Sequence, residues 1–134
     1  MAETLTAGRP LRRLLLQMLF GKEAAPPALY VALFGGEGEP LPNEADLPSR
    51  EIRGEAYQRQ VVRAVDVDLD EVALTAKVPV YFINTSDTAW PPARGCFLTT
   101  AQQGEGTIIA HMMFDTGRVW YAKGQTRIDI EVEL

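Results

Sequence analysis

Leu29-Tyr30-Val31-Ala32-Leu33-Phe34 is the stretch that decides the fold. Every position in it is apolar or aromatic, so neither face carries a charge, and Tyr, Val and Phe favour extended backbone. Pro26-Pro27 ahead of it forces an extended approach, and Gly35-Gly36 behind it ends the run. Between such signals this is the length of a strand rather than of a helix. A strand apolar on both faces belongs in the middle of a sheet, covered on both sides. Its burial is expected to be nearly complete.

Downstream, Val65, Val67 and Leu69 alternate with Asp66, Asp68 and Asp70, which places the carboxylates on one solvated strand face. Past a turn at Asp70-Glu71 the alternation continues through Val72, Leu74, Ala76, Val78, Val80 and Phe82, with Pro79 marking an edge or a bulge. Tyr57 to Arg63 also reads as a strand, and Asn84 to Pro92 as a loop. Cys96 to Thr100 and Thr107 to Phe114 flank Gly104-Glu105-Gly106 as a hairpin. A second hairpin is expected to turn at Asp115-Thr116-Gly117 into Val119-Trp120-Tyr121. After Lys123-Gly124, Ile128, Ile130, Val132 and Leu134 alternate with Arg127, Asp129, Glu131 and Glu133.

Upstream, Leu11, Leu14, Leu15, Met18 and Leu19 lie at helical spacing, with Thr6 as N-cap, Pro10 in the first turn and Gly21 as the stop. The expected fold is therefore mainly β: an antiparallel β-sandwich or barrel of about seven or eight strands. One short N-terminal amphipathic α-helix either covers the domain's own sheet or docks into a partner.

A chain of 134 residues that is 46% hydrophobic can bury one core, so residues 1–134 are read as a single domain. Residues 1–22 form its N-terminal arm and helix. Residues 35–55 form a long Gly/Pro-rich loop, read as a mobile contact surface. A net charge of -5 repels nucleic-acid phosphates and anionic lipids, which argues against both as partners. No apolar run approaches a bilayer span. Arg9, Arg12 and Arg13 ahead of Leu14 to Phe20 faintly resemble a secretory signal. Gln17 interrupts the apolar stretch, however, and no small-residue cleavage site precedes Lys22-Glu23, which makes that the weaker reading.

The chemistry-bearing residues are sparse. His111 is the only histidine and sits in a strand-like run, where a general base would also need an orienting partner and a nucleophile. Cys96 is the only cysteine, which excludes an internal disulfide and a thiolate zinc site from this chain alone, and it reads as a small buried hydrophobe. Asp66 to Glu71 begins like a calcium loop, but Glu71 and Lys77 stand where an EF-hand needs Gly and Glu. Asp66, Asp68 and Asp70 could hold a cation if other ligands converged, and a solvated sheet face is the favoured reading. Gly35-Gly36-Glu37-Gly38 follows a strand without the helix or the Lys-Ser/Thr pair of a P-loop. No catalytic, cofactor-binding or metal-ligating residue is assigned, and the chain is not expected to be an enzyme. Trp90, Trp120 and Tyr121 are candidate interface anchors or core aromatics.

The order of these features resembles a family of small tailed-bacteriophage virion proteins, loosely labelled tail-fibre-like. The matching residues are the Leu29–Phe34 strand after an amphipathic helix, Tyr57-Gln58-Arg59-Gln60, Pro79-Val80-Tyr81-Phe82 and Trp90. Gly117 to Tyr121, Gly124 and the alternating end from Ile128 to Val132 continue the match, whereas Pro91-Pro92 departs from it. The resemblance implies a virion structural role, with the protein made in the host cytoplasm. Partners would be the major capsid protein or tail proteins, and copies would associate as a symmetric oligomer such as a trimer. Without heptads or internal repeats for a fibre shaft, capsid decoration leads, ahead of a tail, fibre or baseplate component. A carbohydrate-binding β-sandwich, with Trp90, Trp120 and Tyr121 as stacking platforms, is the alternative from another class.

Overall fold

The computed structural model describes residues 3–6, 9–36, 44–104 and 106–133. Eight strands and one α-helix occur among them: β1 (Glu3–Thr6), α1 (Arg9–Leu19), β2 (Tyr30–Phe34), β3 (Gln60–Val61), β4 (Asp68–Asp70), β5 (Thr75–Ile83), β6 (Ala93–Thr99), β7 (Ile108–Arg118) and β8 (Gln125–Glu133). The strands form two four-stranded sheets, ordered β1-β8-β5-β4 and β3-β2-β6-β7. The chain is mainly β, and two packed sheets fit a sandwich.

β2 behaves as its composition requires. It lies between β3 and β6, and Val31, Ala32, Leu33 and Phe34 have no exposed surface. Val31 and Leu33 point into the main core with Phe82, Trp90, Cys96, Trp120, Ile128 and Ile130. Ala32 and Phe34 point the other way, into a smaller core with Leu47, Phe97 and Ile108. The cover over that second face is a 3-10 helix, Glu44–Arg50. Thus the 35–55 segment is not wholly a mobile loop. Leu47 is buried against Ala32 and Phe34, because β2's outer apolar face needs a lid, while Ile52 is buried in the main core and Glu51 bridges to Phe34. Positions 37–43 of that segment lie outside the described residues.

α1 ends at Gly21 in a left-handed conformation, φ 70°. The Gly21 N–H donates to the Met18 carbonyl at 3.1 Å and the Lys22 N–H to Gln17 at 2.7 Å. That pair of bonds is a Schellman cap, which favours a residue without a Cβ. Leu14 is buried and Leu11 and Met18 pack beside it against the main core. Thr6 is not the N-cap: it lies in β1, which pairs in parallel with β8, Leu5 opposite Val132. The sheets are otherwise antiparallel.

Four other expectations are corrected. The strand expected from Tyr57 to Arg63 shrinks to Gln60–Val61, because Ala56 is left-handed at φ 64° with the Tyr57 N–H closing a turn onto the Gly54 carbonyl at 3.1 Å, and a 3-10 turn begins at Ala64. Asp66, Asp68 and Asp70 do not share one strand, since Ala64–Asp66 is a 3-10 turn and β4 holds only the last two. Val72 and Leu74 lie in a turn rather than in β5, where the Asp70 carboxylate accepts the Val72 and Ala73 N–H groups at 3.0 and 2.9 Å.

The hairpin turn expected at Asp115-Thr116-Gly117 does not form, and β7 runs on to Arg118. Its pairing jumps from Gly95↔Met113 to Ala93↔Arg118, so these residues make a wide bulge. The Arg118 guanidinium folds over the Phe114 ring at 4.3 Å. Beyond it the chain leaves one sheet for the other. The Trp120 carbonyl accepts the Trp90 N–H at 3.0 Å and the Asn84 side-chain amide at 3.0 Å.

Pro79 falls where its missing N–H is harmless. β4 pairs with β5 only as far as Lys77, so Pro79 lies on a locally open edge. Gly95 is dictated by packing: a Cβ there would sit 2.1 Å from the Met112 carbonyl oxygen and 2.7 Å from the Phe34 ring. Gly95→Ala is therefore expected to cost about 3 kcal/mol or more by overpacking, measured by urea unfolding.

Candidate functional site

The most elaborate polar cluster grows from β2. β3 covers only Tyr30 and Val31 of that strand, leaving the Leu33 backbone without a strand partner on this side. Residues 52 and 57 supply the substitutes. The Leu33 N–H donates to the Tyr57 hydroxyl at 2.9 Å, and the Ile52 N–H donates to the Leu33 carbonyl at 3.0 Å. The Tyr57 hydroxyl in turn donates to Glu51 Oε2 at 2.8 Å.

Glu51 also receives both ends of a fork from Arg59, Nε to Oε2 and Nη2 to Oε1, each at 2.9 Å. The Arg59 side chain is 2% exposed and Glu51 19%. Arg59 further donates to the carbonyls of Ala101 at 2.8 Å and Gly104 at 2.7 Å, and its guanidinium lies 5.5 Å from the Phe97 ring centre. Burial and the adjacent Glu51 carboxylate push the Tyr57 phenol far above its ordinary pKa. One bidentate pair therefore ties the 44–57 segment and the β6–β7 connection to the outer face of β2. A surface cleft of about 850 Å³ lies beside it, lined in part by Arg53, Glu55, Gln58, Gln102 and Gln103.

Among the described residues every buried side-chain nitrogen and oxygen has a hydrogen-bond partner. The cluster thus reads as scaffolding: Arg59's donors are spent on the protein itself. Tyr57 and Arg59 belong to the sequence motif singled out above. Glu51 was not anticipated, for no local spacing marks it as their partner.

The other sequence candidates are dispersed. Cys96 pairs with Met112 and His111 with Phe97, so alternation sends Cys96 and His111 to opposite faces of one sheet, and they form no dyad. Cys96 is a buried thiol, and His111 is half-buried. Asp66, Asp68 and Asp70 are exposed, and no group of three or more acidic, His or Cys side chains suited to a metal occurs among the described residues. Hydrogen bonding to Val72 and Ala73 holds the Asp70 carboxyl below its usual pKa.

The aromatic triad does not form a surface. Trp90 and Trp120 are buried, their indoles 6.3 Å apart and bonded to the carbonyls of Glu55 and Phe82, while Tyr121 is exposed. The two tryptophans are core residues and offer no stacking platform to a ligand in solvent. No described helix is long and apolar enough to cross a membrane.

Two groups of apolar side chains are left uncovered. On α1, Leu15, Leu16, Leu19 and Phe20 face outward, Leu19 at 77% and Phe20 at 71% exposure, beside exposed Arg12 and Arg13. On the segment leading through β4 into its turn, Val65, Leu69, Val72 and Leu74 are exposed among Asp66, Asp68, Asp70 and Glu71. α1 thus seats Leu11, Leu14 and Met18 on the core and leaves its other face exposed.

Replacing Arg59 by Met strands the Glu51 carboxylate and should cost about 3 kcal/mol, measured by urea unfolding. It should also speed hydrogen exchange in residues 101–104. Tyr57→Phe removes the hydroxyl that serves Leu33 and Glu51. Because the folded-state phenol pKa is raised, wild-type stability from this group is complete below about pH 10 and falls as pH rises further. The stability gap between wild type and Tyr57→Phe should therefore narrow above that pH, as urea unfolding across a pH series would show.

Comparison with known proteins yields neither a matching family model nor a matching curated protein.

Proposed function

We propose that this protein is a non-enzymatic assembly module: a structural component of a tailed-phage virion that binds and stabilises the assembled capsid shell as a decoration protein. The observation that carries the assembly reading is the pair of uncovered apolar surfaces, on α1 and around β4, on a domain whose buried polar groups are spent on its own scaffold. Each Leu or Phe that a partner covers fully contributes about 1.5–3 kcal/mol, so Leu16, Leu19 and Phe20 alone could hold a contact. The order of helix, apolar strand, Tyr57-Gln58-Arg59-Gln60 and alternating C-terminal strand supports the virion part of the reading through the family it resembles.

A decoration protein needs no chemistry. By binding the assembled shell and not its parts it stabilises the shell by mass action, about 2.7 kcal/mol at a hundredfold excess over Kd. Repetition of copies over a symmetric particle multiplies contacts that are individually weak.

The test is co-sedimentation and electron microscopy of the purified protein with expanded, undecorated tailed-phage capsids and, separately, with isolated tails. Symmetric, stoichiometric coating of the capsids, with a raised shell melting temperature, is the expected result. Coating of tails alone would move the function to the tail or baseplate. Binding to neither would remove the virion reading.

A further inference from the structure

We infer that copies of this chain associate head to tail, with the outward face of α1 on one copy seated on the β4 hairpin of the next. The two surfaces are opposite in charge and alike in apolar content. α1 and the turn after it expose Leu15, Leu16, Leu19 and Phe20 with Arg12 and Arg13, and residues 9–20 contain no acidic residue. The 64–74 segment exposes Val65, Leu69, Val72 at 95% and Leu74 with four carboxylates and no basic residue. The basic neighbours do not cancel this. Arg63 reaches only Asp66, at 4.0 Å, and Lys77 stands opposite Asp68 on one side but opposite Glu131 on the other. On a chain of net charge -5, a helix with three arginines and no acid is the exception that seeks an acidic counterpart.

Within one copy the surfaces have no means of meeting. β1, which leads into α1, is one edge strand of its sheet and β4 is the opposite edge strand. With strands about 4.8 Å apart, the order β1-β8-β5-β4 separates the two edges by roughly 14 Å of sheet. α1 packs against β7 on the β1 side, whereas β3 meets β5 towards the β4 side. Two different, complementary patches at opposite edges make a heterologous contact. Such contacts propagate from copy to copy and close into a ring when the rotation permits.

This rests on the assembly reading and deepens it by assigning both the α1 face and the β4 hairpin to contacts between copies, and it is testable without a capsid. Sedimentation velocity at concentrations up to about 1 mM should show wild-type oligomers. The charge-reversed helix (R12E/R13E) and the charge-reversed hairpin (D68K/E71K) should each weaken association at least about tenfold at low salt. Asp70 is left intact because it caps the turn. All four positions are exposed, so thermal melts should show both variants folded. An equimolar mixture of the two, and the fourfold variant carrying both reversals, should associate again, since each restores opposite charges across the contact.

A monomeric wild type, reversals without effect, or failure of both the mixture and the fourfold variant to re-associate would each overturn the inference. Its failure and that of the virion reading are separable. Head-to-tail oligomers that coat no capsid would remove only the latter, and capsids coated by a protein that is monomeric in solution would remove only the former.

Discussion

The backbone of Leu33 is the point on which the rest of the structure turns. β2 is buried from Val31 to Phe34, so each of those peptide groups needs a partner, and β3 is too short to supply them beyond Val31. The Tyr57 hydroxyl and the Ile52 N–H complete the set, and Glu51 and Arg59 hold those two in place. An unmet buried peptide group would cost about 1–3 kcal/mol. That cost accounts for the buried guanidinium of Arg59, which no other described charged side chain matches in burial. A hydrophobic pair could fill the volume, but it would offer no carboxylate to hold the Tyr57 hydroxyl against Leu33.

From that anchor the two-sided character of β2 follows. Its inner residues join the core between the sheets, and its outer residues require a second cover, which the 3-10 helix at Glu44–Arg50 provides through Leu47. Arg59 extends the same cover over Phe97 and fixes the chain at Ala101 and Gly104. Segments far apart in sequence are thus tied to one strand by a few directional bonds. Apolar side chains on α1 and around β4 stay outside this arrangement.

Sequence patterning is reliable here wherever the physics is local. A run apolar on both faces specified a central strand, and Ile128 and Ile130 alternating with charge specified a half-buried one. Gly21 ended the helix because a left-handed turn closes it. The burial of Cys96 was legible from its apolar neighbours. Of the scaffold cluster, Tyr57 and Arg59 were visible as a motif without a role.

The amino-acid sequence by itself determined the β-rich class, the single helix, the central strand and the last one, because period, turn residues and capping act over a few positions. Only the tertiary structure decided the parallel pairing of β1 with β8, the bulge at 114–117 in place of a turn, and the ordering of the 44–57 segment. It alone joined Glu51 to Tyr57 and Arg59, and sent Trp90 and Trp120 into the core while leaving Leu19 and Phe20 outside. Each of these depends on contacts between residues distant in the chain, where an unmet peptide group or an uncovered apolar face selects the partner and no local pattern records the choice.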